Sequence, residues 1–216
     1  MLGSSLLAQN PAPNSTSNVG ANSPPLDRVV AHYELTDSTL LDGMAELSRN
    51  PDLPLHLGIE EILRQNYADP RDRSVLFSLN LENRTIRGIL NALCDADRRY
   101  VWSTDGVSIN VYARARADDK TYLLNRRIQR IELNNIASPY RVFKPLAKLF
   151  PPPEPIGYLR ASAADLYSEP WTIVFEDLTV RTFIDRVAEH IGPRSSWVWQ
   201  GDWGQRGFTF FDSGLP

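Results

Sequence analysis

The sequence contains few of the residues from which chemical sites are usually built. Its 216 residues include one cysteine, Cys94, and three histidines, His32, His56 and His190, none spaced i, i+4 from another. A lone cysteine can form neither an internal disulfide nor a cysteine-based zinc site, and a histidine site needs several ligands that converge. We therefore expect no metal site and no cofactor.

Long apolar runs and a strong net charge are lacking as well. No stretch approaches the roughly 20 apolar residues that a membrane-spanning helix requires, so the folded part is expected to be soluble and not membrane-spanning. The 23 basic and 26 acidic residues are scattered and leave a formal net charge of −3. Such a chain presents no extended positive surface to a phosphate backbone, and no nucleic-acid partner is expected.

Catalytic motifs are also missing. The sequence has no G-x-S-x-G elbow, no glycine-rich phosphate loop and no H-E-x-x-H helix. Glu60 and Glu61 are neighbours on a predicted strand and would point to opposite faces, so a solvated strand edge is favoured over an acid–base pair. Cys94 lies on the apolar stripe of a predicted helix, where a buried thiol is more usual than a nucleophile. We expect no enzymatic activity and no catalytic residue.

The N-terminal segment has little that could order it. Residues 1–10 carry a short apolar patch but lack the basic start and apolar length of a complete signal peptide. Residues 9–25 are rich in Pro, Asn, Ser and Gly. The composition predicts a disordered tether over residues 1–28, with a possible leader remnant at its start. Such a beginning is typical of exported proteins and favours a periplasmic location, although whether residues 1–10 belong to a signal peptide stays open.

The strongest signal in the sequence is a pattern that occurs twice. FSLNLENRTIRGILNALC starts at Phe77 and WTIVFEDLTVRTFIDRVA at Trp171, and each reads as an alternating strand, a threonine cap and an amphipathic helix. Thr85 and Thr179 are the caps. Their spacing of 94 positions is repeated by the two apolar stripes, which are Ile86, Ile89, Leu90, Leu93 and Cys94 in the first copy and Val180, Phe183, Ile184, Val187 and Ala188 in the second.

The flanking segments repeat in the same order. A strand, a helix and a strand precede each pattern, and a predicted hairpin follows it, turning at Asp105-Gly106 in the first copy and through a glycine-rich loop in the second. We predict an α/β (α+β) fold of two tandem mixed-sheet modules, residues 29–116 and 124–212. Each is expected to run β-α-β-β-α-β-β with two helices packed on one sheet. Pro145 predicts that the first helix of the second module is kinked or begins late.

The first module resembles a known family. The segments YELTDSTLLDGMAELS, PLHLGIEEI, FSLNLENRTIRGILNAL and YVWSTDGVSINVY, between Tyr33 and Tyr112, are similar to the secretin and TonB short N-terminal (STN) domain, and residues 128–211 resemble it more loosely. The resemblance implies a periplasmic recognition module. Members of the family dock transport machinery or relay a signal to an anti-sigma regulator.

The five tryptophans are the remaining candidates for a binding surface. Four lie on predicted strands, where core packing is expected, and these are Trp102, Trp171, Trp197 and Trp199. Trp203 lies in the loop GDWGQRG and is the candidate partner contact.

The predicted function is that of a non-enzymatic periplasmic adaptor. It would dock a protein partner of the cell-envelope machinery through an exposed sheet edge or the terminal hairpin. The alternative is a module that binds envelope glycan or a small ligand through loop aromatics. The partner, the binding surface and the oligomeric state stay open.

Overall fold

The computed structural model describes residues 25–50, 56–61, 75–138, 140–150, 157–162, 170–192, 194–200 and 207–211. The strands are β1 (Val29–Ser38), β2 (His56–Glu61), β3 (Phe77–Thr85), β4 (Tyr100–Thr104), β5 (Ser108–Ala113), β6 (Arg127–Ile136), β7 (Gly157–Ser162), β8 (Trp171–Thr179), β9 (Ser196–Gln200) and β10 (Gly207–Phe211). The helices are α1 (Leu40–Ser48), α2 (Ile86–Ala96), α3 (Tyr140–Leu149) and α4 (Val180–Ile191). Short 3₁₀ helices span Pro25–Asp27, Arg114–Arg116 and Leu123–Asn125.

Helices α2 and α4 begin where the sequence predicts. The Thr85 hydroxyl accepts a hydrogen bond from the Gly88 amide, and the Thr179 hydroxyl accepts one from the Thr182 amide, so each satisfies an amide that the helix leaves unpaired. Both predicted apolar stripes are buried throughout. The hairpin turn at Asp105-Gly106 also forms, with Gly106 at a φ of +93° and the Asp105 carboxylate accepting two backbone amides.

The α/β class and the order of strands and helices are as predicted, and the strand pairing is the same in both halves of the chain. In the first half, β1 pairs with β3 as a separate ribbon and the other strands lie in the order β4-β5-β2. In the second half, β6 pairs with β8 and the order is β9-β10-β7. One detail differs from the expectation of helices on a single sheet. Side chains of α1 and α2 share one core with both the ribbon and the β4-β5-β2 strands, so the helices pack against both.

Local irregularities match between the halves as well. In the described residues, the non-glycine positions with positive φ are Asp37 and Asn83 in the first half and Asn135 and Asp177 in the second. Asp and Asn tolerate this region better than other residues with a side chain. Asp37 and Asn135 lie at the register shifts of β1 and β6, so the two ribbons bend at corresponding places.

The two halves share one six-stranded sheet, because β2 pairs in parallel with β9. Its order is β4-β5-β2-β9-β10-β7. Strands β5, β2 and β9 run in one direction and β4, β10 and β7 in the other. The second half therefore repeats the strand order of the first with every direction reversed, which corresponds to a half-turn about an axis that crosses the strands.

This half-turn places the two cores on opposite faces of the shared sheet. Leu57 and Ile59 of β2 belong to the core of the first half. Glu60 lies on the opposite face of the strand and contacts Arg181 of the second half. On β9 the alternation is reversed, since Trp197 and Trp199 enter the second core and Val198 enters the first. Each half thus covers part of the strand that the other contributes to the junction.

The structure corrects one boundary. Residues 25–28 were expected to belong to the disordered tether, yet Leu26 is buried in the first core and the Arg28 carbonyl accepts a hydrogen bond from the Ile86 amide. The rest of that prediction lies outside the described residues.

Helix α3 begins at Tyr140 and holds Pro145 in its interior, so a start late enough to exclude the proline is not observed, and the predicted kink stays a prediction. Three residues separate it from β6, whereas one residue separates α1 from β1. Within the described part of the chain, no helix combines the length and the apolar character needed to cross a membrane.

Candidate protein-binding site

The junction between β2 and β9 shows how one half of this chain binds the other. Gly58 of β2 lies opposite Trp197 of β9 in the parallel register. A Cβ atom at Gly58 would come within 2.4 Å of the Trp197 indole and 2.3 Å of the Asn110 side-chain oxygen. Only glycine allows this approach, so the missing side chain makes the space that the indole fills.

A buried carboxylate lies at the centre of the junction. Glu60 is fully buried, and its Oε1 accepts hydrogen bonds from Arg116 (3.0 Å) and the Tyr122 hydroxyl (2.8 Å). Its Oε2 lies 3.6 Å from the guanidinium of Arg181 on α4. A charge removed from water in this way is tolerated only because two cations and a hydroxyl surround it.

The same guanidinium also touches the first half. Arg181 stacks on the ring of Tyr112 with its carbon 4.2 Å from the ring centroid, a favourable arrangement of a cation over an aromatic face. Arg181 thereby contacts both β2 and β5, the two strands next to the junction.

A second buried carboxylate lies one helical turn further along α4. Asp185 accepts hydrogen bonds from the Asn110 amide and the Trp197 indole, both at 2.8 Å. Burial raises the pKa of Asp185 to about 7, although both hydrogen bonds and Arg181 act to lower it. The side chain therefore takes up or loses a proton near neutral pH while it ties α4 to β5.

The first half carries counterparts of these residues. Arg87 and Asn91 on α2 precede Arg181 and Asp185 by 94 positions. The hairpins correspond at a spacing of 97, since Tyr100 pairs with Ala113 as Trp197 pairs with Phe210. This spacing makes Trp102 the counterpart of Trp199 and Val101 the counterpart of Val198.

The contacts of these counterparts are similar in part. The Trp102 indole donates to the Asn91 side-chain oxygen at 2.9 Å. In the second half the indole that donates to Asp185 is that of Trp197, the counterpart of Tyr100, whereas Trp199 donates to the Tyr122 hydroxyl. The Arg87 guanidinium lies over the Trp102 ring at 5.9 Å from its centroid. An arginine, an acceptor and an indole are thus arranged around the first hairpin strand of both halves.

The two sets differ in burial. Arg181, Asp185 and Trp199 are 9%, 2% and 1% exposed, because β2 and its neighbours cover them. The Arg87 side chain is 49% exposed, Asn91 is exposed and Trp102 is half-buried.

Among the described strands, β4 pairs only with β5, so its other edge has no strand beside it. We call this edge, together with Arg87, Asn91, Val101 and Trp102, the β4 surface. It is the uncovered counterpart of the surface that the second half buries at the junction.

The histidines singled out in the sequence do not come together. The His32 ring lies 2.7 Å from Glu82, the His56 ring contacts the Ser195 carbonyl across the junction at 3.0 Å, and His190 stacks on Trp171. The described residues contain no cluster of three potential metal ligands.

Cys94 is buried, as its place on the apolar stripe predicts. Burial raises the pKa of the Cys94 thiol to about 11, which disfavours the nucleophilic thiolate near neutral pH.

The interpretation of Glu60 as part of a solvated strand edge was wrong, because β9 pairs with β2 and Arg181 covers the outer face of that strand. The side chain of Glu61 lies outside the described residues.

The tryptophans behave in part as predicted. Trp197 and Trp199 are buried in the second core, and Trp102 and Trp171 pack partly against the cores of their own halves. Trp203, the predicted partner contact, lies outside the described residues.

The sequence reasoning missed Arg181 and Asp185, because both lie beside the apolar stripe of α4 and suggest a solvated helix face. Two signals could have found them. They repeat Arg87 and Asn91 at the spacing of the stripes, and Gly58 in the middle of a predicted strand indicates that another part of the chain approaches closely.

Comparisons with known proteins do not add to this picture. A scan against protein-family models gives no match to the chain, and searches of curated proteins and of solved structures give no significant match.

Proposed function

We propose that this chain is a non-enzymatic protein-binding module whose β4 surface takes up a strand of a partner protein. One observation carries the proposal. The second half docks onto β2 with a set of side chains, and the counterparts of these side chains in the first half are left uncovered. A free strand edge supplies unpaired amide and carbonyl groups that an added strand can complete. Arg87, Asn91 and Trp102 would supply side-chain contacts of the kind that Arg181, Asp185 and Trp199 make within the chain.

The repeated topology and the matching irregularities support the further proposal that the two halves are divergent copies of one module. The order of strands and helices is compatible with the STN resemblance of residues 33–112. A periplasmic adaptor of the cell-envelope machinery remains the context that this resemblance suggests. Trp203 remains a candidate for an additional contact.

Site-specific photocrosslinking in the native cell tests the proposed function. A photoreactive amino acid at Ser103, an exposed residue of β4, should give a crosslinked protein adduct that disappears when Val101→Lys is added. The same group at Val174, which is exposed on β8, is the matched control and should give none. Equal crosslinking at both positions, or no protein adduct at Ser103, would contradict the proposal.

A further inference from the structure

We infer that the strand which the β4 surface accepts is β7 of a second copy of this chain, so that copies join head to tail through one extended sheet. The inference rests on the proposed function of the β4 surface and names its partner. It follows from the way in which the two halves already join, because that junction uses one edge of each half, and no described strand pairs with the corresponding edge of the other. Among the described strands, β4 and β7 form the two ends of the six-stranded sheet.

Strand β7 is the counterpart of β2, the strand that accepts β9. Each pairs in parallel with the last strand of its own half. Gly58 lies opposite Asn110, and Gly157 lies opposite Gly207. Because positions 110 and 207 correspond at the hairpin spacing of 97, Gly157 occupies the register position of Gly58. The second half therefore retains glycine at the place where the junction needs a missing side chain.

The strand directions allow the same pairing between molecules. Strands β4 and β7 run in the same direction across the sheet, so a copy displaced along the sheet would lay its β4 parallel to β7, as β9 lies parallel to β2. The register carries over as far as Tyr158, where the pairing of β7 with β10 shifts by one residue. Ile59 faces Val198 at the junction, and the corresponding residues at the new contact are Tyr158 of one copy and Val101 of the next.

The first half supplies the groups that this contact requires. Asn91 lies beside the first hairpin strand as Asp185 does at the junction. Arg87 occupies the position of Arg181, and half of its side chain is accessible to solvent.

Two differences indicate that the contact between copies is weaker than the junction. Asn110 and Tyr112 contact Asp185 and Arg181 within the chain, and their counterparts at the hairpin spacing of 97 are Gly207 and Thr209. Neither counterpart carries an amide side chain or an aromatic ring, so association should be reversible and depend on protein concentration.

The contact joins two different surfaces, so it does not close on itself in a dimer. Repetition of such a heterologous contact gives a ring if the rotation closes and an open filament if it does not. Each added copy would extend the sheet by six strands.

Sedimentation velocity of the full chain over a range of concentrations tests the inference. The wild-type chain should form dimers and larger species as concentration rises. Val101→Lys places a charge on the β4 edge and should weaken association at least about tenfold, while Val174→Lys, the matched control on an exposed strand, should leave it unchanged.

Mixing two blocked variants tests the head-to-tail geometry. Val101→Lys blocks the β4 edge and Tyr158→Lys blocks the β7 edge, so each should be monomeric alone. Together they should form a dimer and nothing larger, because only one complementary pair of edges remains. Circular dichroism should show that every variant is folded.

The outcomes separate this inference from the proposed function. A wild-type chain that stays monomeric at millimolar concentration overturns self-association. If the Ser103 crosslink to a different protein persists and remains sensitive to Val101→Lys, the proposed function stands without it. If that crosslink is also missing, both proposals fail.

Discussion

The Glu60→Ala variant is expected to lose about 3 to 5 kcal/mol of unfolding free energy, the usual cost of removing one partner from a buried ion pair. The substitution leaves Arg116 and Arg181 facing each other without the carboxylate between them. It also removes the acceptor of the Tyr122 hydroxyl. Urea denaturation at neutral pH, followed by circular dichroism, measures the loss.

Glu176→Ala is the matched control. Its carboxylate pairs with Arg130 on the exposed ribbon, where both side chains are more than half accessible to solvent, so the loss should stay within about 1 kcal/mol. A Glu60→Ala variant as stable as Glu176→Ala would show that Glu60 does not act as a buried ion-pair partner at the junction.

The Asp185→Asn variant should change how stability depends on pH. Because burial raises the pKa of Asp185 to about 7, the folded chain holds a proton that the unfolded chain loses near pH 4. Stability from this group is therefore fully present below about pH 4 and declines as the pH rises to about 7, by up to about 4 kcal/mol. Asparagine does not titrate, so this decline should be missing in the variant.

Denaturant titrations at several pH values between 4 and 8 measure the difference. Near pH 8 the Asp185→Asn variant should be more stable than the wild-type chain, since no buried carboxylate has to be ionised. Asparagine already occupies the corresponding position of the first half, at Asn91. Parallel stability curves for the two proteins across this range would show that Asp185 does not titrate as described.

Much of the fold could be predicted because its signals are local. The stripe from Ile86 to Cys94 and its counterpart on α4 follow from helical periodicity, and Thr85 and Thr179 mark where the helices begin. The turn at Asp105-Gly106 is fixed by backbone chemistry within four residues. Each of these features depends on neighbours in sequence.

The junction could not be predicted in the same way. The pairing of β2 with β9 brings Leu57 beside Ser196, and nothing local to either strand specifies which edge it meets. Burial of Glu60 depends on Arg116 and Arg181 from other parts of the chain. The alternation of apolar and polar residues along β2 predicts that Glu60 lies on the face opposite Leu57 and Ile59. Only the tertiary arrangement decides whether that face is covered.

Binding of a β2 peptide to the intact chain tests most directly whether the β4 surface binds an added strand as the second half binds β2. A fluorescent peptide with the sequence of residues 54–62, PLHLGIEEI, should bind saturably in an anisotropy titration. Binding should be lost in the Val101→Lys chain and retained in the Val174→Lys chain. A peptide with valine in place of Gly58 should bind poorly, because its side chain would collide with the aromatic ring beside it. Anisotropy that stays flat to millimolar peptide, or that rises equally with the Val101→Lys chain, would contradict the account.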